Sequence, residues 1–206
     1  MILMTKQSYG NHWSMIEPGF WALGFYCIAQ DRKGLLTIVI VLASANRETG
    51  CFIVLAYLLS NTDILFGRSD DTIRSKRKWL AIYACCWLIT YGLIRVWQGH
   101  ARHVLPLVEI LRINLEHHSW ALFLRQLGLA LSFFWVLVAL GVKYAPKQVR
   151  MACRVIPFYL AAYVVFGIWQ EVRLLTPLCP LAAAVGLSYV ERRTGNQMIA
   201  SNDSGV

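Results

Sequence analysis

WLAIYACCWLITYGLIRVW, residues 79–97, is the stretch that decides the fold. Tryptophan stands at both ends, and its one charged residue, Arg95, lies two positions before the second end. A helix needs ~20 apolar residues to cross ~30 Å of hydrocarbon. Tryptophan is typical of the membrane interfaces, and an arginine so near an end can extend to the headgroups. The stretch therefore predicts a transmembrane helix, because hydrocarbon requires a segment to satisfy its own backbone polar groups.

Further apolar runs lie on both sides of this stretch. Those downstream are 120–142, 155–170 and 174–190, and upstream there is a short one at 16–30. The pieces 35–45 and 51–60 are separated by the polar string NRET. They form either one strongly tilted span or a hairpin of two half-length helices. The sequence predicts an all-α, polytopic transmembrane helical bundle of about five spans plus a short broken hairpin.

Basic residues in the loops predict the topology. They cluster at 31–33, 68–78, 143–154 and 192–193, and the positive-inside rule places all four clusters in the cytoplasm. The first two clusters share a side only if residues 34–60 cross the bilayer an even number of times, which favours the hairpin. We expect a bacterial-type inner (plasma) membrane protein with a cytoplasmic C-terminus. Its helical domain is 15–193, with an outer loop at 98–119 and a cytoplasmic loop at 61–78. A polar segment, 1–14, precedes it and a disordered tail, 194–206, follows.

Composition agrees with a membrane protein and excludes other classes. Apolar residues make up 57% of the chain and charged residues 15%, whereas a soluble domain has roughly a quarter charged. The net charge of +9 resides mostly in loops, and no nucleic-acid recognition module accompanies it. The six cysteines lack metal-ligand spacing, and the histidines of the outer loop lack the spacing of a helical zinc pair. We predict neither a metal nor a cofactor; membrane lipids are the expected partners.

The predicted topology brings several polar side chains to the outer face. These are Glu17 before the first run, Asn46, Arg47 and Glu48 at the hairpin tip, and Glu171 and Arg173 between the last two spans. An ionisable side chain at membrane depth is expensive and is a functional candidate by default. Two structural alternatives stay open. Arg47 and Glu48 could form a local ion pair that closes the tip, and Glu171 and Arg173 could clamp the last helix pair.

Two strings carry a resemblance to known proteins. LASANRETG, residues 42–50, and EVRLLTPLCPL, residues 171–181, resemble strings of uncharacterised bacterial polytopic membrane proteins. Those proteins are distantly similar to GT-C-type, polyprenyl-phosphate-sugar-dependent glycosyltransferases. The resemblance implies an outer site that handles a polyprenyl-phosphate-linked sugar. Such a site needs a carboxylate base and cations for the leaving phosphate.

This resemblance implies roles for the outer polar residues. Glu17 or Glu48 would be the catalytic base, and Arg47 and Arg173, with Asn46 and Glu171, would bind the substrate. GT-C enzymes have more spans and an acidic residue in a long first outer loop, so we expect a short or truncated relative. The alternative is a non-enzymatic membrane component, such as a transporter fragment or an assembly subunit, that works with a partner membrane subunit.

Overall fold

The computed structural model describes residues 16–67, 70–98, 108–110, 112, 114, 124, 128, 136, 138–166 and 172–203. Helices account for the regular structure of this part of the chain, which contains no strand, as the apolar pattern predicted. The helices are α1 (Glu17–Ala29), α2 (Lys33–Asn46), α3 (Cys51–Ser60), α4 (Asp63–Phe66), α5 (Asp71–Gln98), α6 (Lys147–Ala152), α7 (Val155–Phe166) and α8 (Cys179–Asp203). Two 3₁₀ segments, Glu48–Gly50 and Val172–Leu178, join them.

Two helical stretches in the described residues are long and apolar enough to cross a membrane. They are Asp71–Trp97 and Lys147–Phe166, each with a mean hydropathy of 1.5 in its most apolar window. The helices Lys33–Asn46 and Glu48–Ser60 are apolar but shorter. The predicted span 120–142 and the outer loop 98–119 lie mostly outside the described residues.

Helices α2 and α3 fold back on each other as a hairpin. The hydroxyl of Tyr83 on α5 donates to the carbonyl of Lys33, at the start of α2, over 3.3 Å. The same ring lies 4.9 Å from that of Tyr57, near the end of α3. The start of α2 and the end of α3, the open end of the hairpin, therefore both contact Tyr83 of α5. At the opposite end Gly50 packs so closely on Ser44 that an added Cβ would lie 2.8 Å from its Oγ. The two apolar pieces are thus two short helices, not one continuous helix.

Helix α1 lies against this hairpin and runs between the same two ends. It begins beside the hairpin tip and ends near Asp31, whose φ of 50° makes the turn into α2. Gly24 allows α1 to approach α3, because a Cβ there would lie 2.9 Å from Cγ2 of Ile53. With 13, 14 and 10 residues, the three helices are about 20, 21 and 15 Å long. All three are shorter than ~30 Å of hydrocarbon.

The stretch 61–78, predicted as a charged loop, is largely helical. It contains α4 and the first turns of α5. The Asp70 carboxylate accepts from the backbone N–H of Ile73 over 2.7 Å, which caps the N-terminus of α5. Lys76 pairs with Asp63 at 2.6 Å. The charged residues therefore satisfy a helix start and fold α4 onto α5, so that α5 is 28 residues long, about 42 Å.

The C-terminal runs also differ from the predicted spans. Helical structure begins at Lys147, before the predicted start at 155, and α7 is described as far as Phe166. The first residues of the predicted span 174–190 belong to a 3₁₀ segment containing Pro177. Proline removes a backbone donor, so the α-helix starts only at Cys179. That helix continues to Asp203, through much of the tail for which the sequence predicted disorder.

The core lies where α1, the hairpin, α6, α7 and α8 meet, and α5 contributes Tyr83 to it. Trp21, Ile40, Ile53 and Val185 are fully buried. By contrast, only 6% of the apolar window of Asp71–Trp97 is buried inside the protein. The exposed large hydrophobic side chains of α5 are Leu88, Ile89, Leu93, Val96 and Trp97.

Candidate functional site

A buried carboxylate lies at the end of the molecule where α1 begins and the hairpin turns. Glu17, in the first turn of α1, is only 3% exposed. The hydroxyl of Thr49 donates a hydrogen bond to its Oε1. Nη1 of Arg47 lies 3.5 Å from Oε2. Burying an ion costs several kcal/mol, and a nearby opposite charge with hydrogen bonds offsets that cost. The hairpin tip thus supplies both partners of the α1 carboxylate.

The next residue of the tip, Glu48, pairs with a different helix. Its carboxylate Oε2 lies 3.7 Å from Nη2 of Arg95 on α5, and its side chain is 64% exposed. The alternative of a local Arg47–Glu48 pair is therefore wrong, since the two neighbours bind opposite charges on α1 and α5. The extended backbone of Arg47, at φ −155° and ψ 154°, separates the directions of the two side chains.

Arg95 is held in place by a neighbour on its own helix. Its Nε donates to the hydroxyl of Tyr91, one turn earlier, over 3.1 Å. The guanidinium carbon lies 5.2 Å from the centroid of the Tyr91 ring, and the Arg95 side chain is 37% exposed. The residue predicted to extend to the headgroups therefore contacts the predicted site as well.

An aromatic cluster closes the site on its inner side. Trp21, one turn after Glu17 on α1, has its ring centroid 5.2 Å from that of Tyr159 on α7. Phe52, in the first turn of α3, lies 4.9 Å from the same tyrosine ring. These three rings join α1, α3 and α7 beneath the tip. The Glu17 carboxylate therefore faces Thr49 and Arg47 above a packed apolar layer.

Besides Oε2 of Glu17, a second buried polar atom at the tip lacks a hydrogen bond among the described residues. The side-chain Nδ2 of Asn46 is buried and has no hydrogen-bond partner among the described residues. An unpaired buried donor costs about 1–3 kcal/mol, so it is an uncommon feature and a possible contact point for a ligand.

The structure brings four of the six predicted site residues together. Glu17, Asn46, Arg47 and Glu48 meet where α1 and the hairpin tip pack. Glu171 lies outside the described residues. Arg173 is described only by its backbone, in the 3₁₀ segment Val172–Leu178, which packs against α1. No group of three metal-ligating side chains occurs in the described ranges.

Sequence reasoning missed two participants. Thr49 stands in the NRET string, but nothing in the sequence indicates that its hydroxyl reaches Glu17. Arg95 pairs with Glu48 because α5 packs against both helices of the hairpin. The signal that could have suggested Arg95 is its place inside an apolar span, since such charges usually have a protein partner.

The two carboxylates differ in what they can do chemically. Glu17 is nearly inaccessible: its Oε1 accepts from Thr49, and its Oε2 has the contact with Arg47 but no hydrogen bond in the described part of the chain. Glu48 is exposed and has one long ion pair, so it can accept a proton from a group that arrives from outside.

The chain matches no protein-family model, no curated protein and no solved structure.

Proposed function

We propose that this chain is a multi-pass inner-membrane protein that handles a polyprenyl-phosphate-linked sugar at its outer face. About five spans plus the hairpin form the bundle, and the C-terminus is cytoplasmic. The observation that best supports this proposal is the exposed carboxylate of Glu48, which lies beside Arg95 and next to the buried Glu17–Arg47 pair. The resemblance of the tip to glycosyltransferase-like proteins, described above, supplies the substrate class.

Membrane insertion is supported by the surface of α5. In a soluble protein a helix of this hydropathy would be the core, yet only 6% of this apolar window is buried. Trp79 and Trp97 are 18 positions apart in the sequence, about 27 Å of helix, which fits the ~30 Å of hydrocarbon. In this arrangement the basic end of α5 lies in the cytoplasm.

The depth of the hairpin tip supports the outer site. Tyr83 contacts the open end of the hairpin and Arg95 contacts the tip, and the two are twelve positions apart on the helix, about 18 Å. Arg95 precedes the outer Trp97 by two residues, or about 3 Å. The tip is therefore proposed to lie at the level of the outer headgroups, where the phosphate of a lipid carrier resides.

In the proposed reaction, Glu48 is the general base. Its carboxylate accepts the proton of an acceptor hydroxyl as the acceptor oxygen bonds to the anomeric carbon. The bond from that carbon to the phosphate oxygen breaks, and the polyprenyl phosphate leaves with the bonding electrons. Glu17 does not touch the reacting atoms in this scheme. With Arg47 and Thr49 it is a positioning group that sets the conformation of the tip.

The test is consumption of a radiolabelled polyprenyl-phosphate-linked sugar by the purified protein in vesicles, with a membrane extract as the acceptor source. We expect Glu48→Gln to reduce consumption by roughly 10²-fold, the typical contribution of a general base. Glu191→Gln is the matched control, because Glu191 is an exposed glutamate on α8. Equal consumption by the two variants would contradict the role of Glu48.

A non-enzymatic membrane component is the second candidate, and the exposed apolar side of α5 favours it. That side can pack against a partner membrane subunit as well as against lipid. Absence of consumption by the unsubstituted chain, together with co-purification of a second membrane protein, would favour this candidate over the enzyme.

A further inference from the structure

We infer that Arg95 is the phosphate-binding cation of the outer site, and that an incoming phosphate takes the place of Glu48 on its guanidinium. The ligand class is a phosphate monoester or diester at headgroup depth. The inference rests on the proposed function for the outer location of the site. To the proposed function the inference adds Arg95, which was not among the predicted site residues. It also gives the order in which phosphate binding and base activation occur at the tip.

The first argument is availability. Arg47 faces a carboxylate that is 3% exposed and cannot be left unpaired without a large cost. Arg95 faces a carboxylate that is 64% exposed, across 3.7 Å, which is longer than a hydrogen bond. Exposed ion pairs of this kind contribute little to stability. Of the two arginines that the described residues place at the tip, Arg95 is the one that can change partner at little cost.

The second argument is geometry. The Tyr91 hydroxyl accepts from Nε of Arg95 and fixes one edge of the guanidinium. Its terminal nitrogens remain for an external partner, and two parallel N–H groups of arginine match two phosphate oxygens. With its side chain 37% exposed, Arg95 can be reached from the headgroup layer.

The third argument is that the exchange has a chemical consequence. While Glu48 is paired with Arg95, its Oε2 lies 3.7 Å from Nη2 of the guanidinium and is directed to that partner. Once phosphate occupies Arg95, Glu48 loses that partner and becomes available to an acceptor hydroxyl. Binding of the lipid phosphate would therefore precede activation of the base at the same tip.

The experiment measures binding of sugar-free polyprenyl phosphate to the purified chain in nanodiscs of neutral lipid. We expect Arg95→Gln to weaken binding roughly tenfold or more, because charged hydrogen bonds to phosphate are lost. Arg95→Lys should fall between, since lysine cannot bind in a bidentate manner. Glu48→Gln should tighten binding several-fold, because it removes the competing carboxylate. Arg74→Gln, an exposed arginine at the other end of α5, is the control and should leave binding unchanged.

Two results would overturn the inference. One is Arg95→Gln binding as tightly as Arg74→Gln, and the other is weaker binding by Glu48→Gln. Because Glu48 is exposed, its variant tests the exchange even if Arg95→Gln fails to fold. Added inorganic phosphate identifies the source of the ligand: competition at millimolar concentration indicates a site for free phosphate, and its absence indicates a lipid phosphate.

The proposed function and this inference fail in different ways. Arg95-dependent binding of the sugar-free lipid without any consumption of the sugar-linked lipid would contradict the former alone. Consumption of the sugar-linked lipid that is unaffected by Arg95→Gln would contradict the latter alone.

Discussion

Glu17 is the residue on which the packing of α1 against the hairpin tip depends. It is buried, and its two partners come from the hairpin tip, Arg47 by charge and Thr49 by a hydrogen bond. Removal of one member of a buried ion pair leaves the other without compensation. Removal of both members with apolar replacement is often neutral. If Glu17 has a positioning role, a single substitution in the pair should therefore lower stability and the double substitution should restore it.

We predict that Arg47→Leu destabilises the protein by about 3–5 kcal/mol, the typical cost of leaving a buried charge unpaired. The double variant Glu17→Leu/Arg47→Leu should recover most of that loss. Thermal unfolding in detergent measures both, with Arg74→Leu as an exposed control. A double variant as unstable as the single one would show that the pair is not the reason for the loss.

At the scale of residues, the sequence indicated which side chains belong to the candidate site better than it indicated their partners. The acid before the first apolar run and the polar tip were recognised, and the structure brings Glu17, Asn46, Arg47 and Glu48 together. The partners of each charge were not predictable. Whether Glu48 pairs with its neighbour or with Arg95 depends on how α5 packs against the hairpin, which no local pattern specifies.

At the scale of helices and turns, the hairpin depends on a close contact. Gly50 follows the tip and lies against Ser44, where an added Cβ would be 2.9 Å from the backbone nitrogen. Backbone cannot move aside as a flexible side chain does, so the turn admits only glycine without a shift.

Gly50→Ala should therefore destabilise the protein by about 1–3 kcal/mol, the usual cost of overpacking. Gly34→Ala is the matched control in the same hairpin, because nothing lies within 4 Å of a Cβ there. The midpoint of thermal unfolding measures the difference. Equal midpoints for the two variants would mean that the tip relaxes freely.

Charge predicted the hairpin, whereas local composition misled elsewhere. Basic clusters on either side of residues 34–60 required an even number of crossings, and Tyr83 contacts both open ends of the pair. The stretch 61–78 was predicted as a loop because charged and polar residues outnumber its few apolar ones. It is largely helical because Asp70 caps α5 and Asp63 pairs with Lys76. Those contacts depend on side-chain positions rather than on hydropathy.

At the scale of the whole molecule, α5 extends from the stretch around Arg74 to the hairpin tip. Glu48 contacts Arg95 near one end, and the exposed Arg74 lies near the other. If α5 crosses the membrane, these two positions are on opposite sides. The sequence predicted about five spans. Among the described residues, two helices are long and apolar enough to cross a membrane.

Single-cysteine labelling in whole cells tests this arrangement after replacement of the six native cysteines. We expect a membrane-impermeant maleimide to label Glu48→Cys directly, and to label Arg74→Cys and Thr194→Cys only after permeabilisation. Labelling of the first two variants from one side would contradict a crossing by α5. Labelling of Thr194→Cys in intact cells would contradict the cytoplasmic C-terminus alone.

The burial of Glu17 also has a consequence for how the sequence can change over generations. Glu17 and Arg47 lie far apart along the chain, yet loss of either one alone leaves an unpaired charge inside the protein. Substitutions at these two positions should therefore appear together in descendants of this gene, first as a rare intermediate and then as a neutral pair. Glu48 is exposed and Arg95 is only half-buried, so this second pair is under no such constraint from stability. If those two also persist together, the reason lies in what they bind.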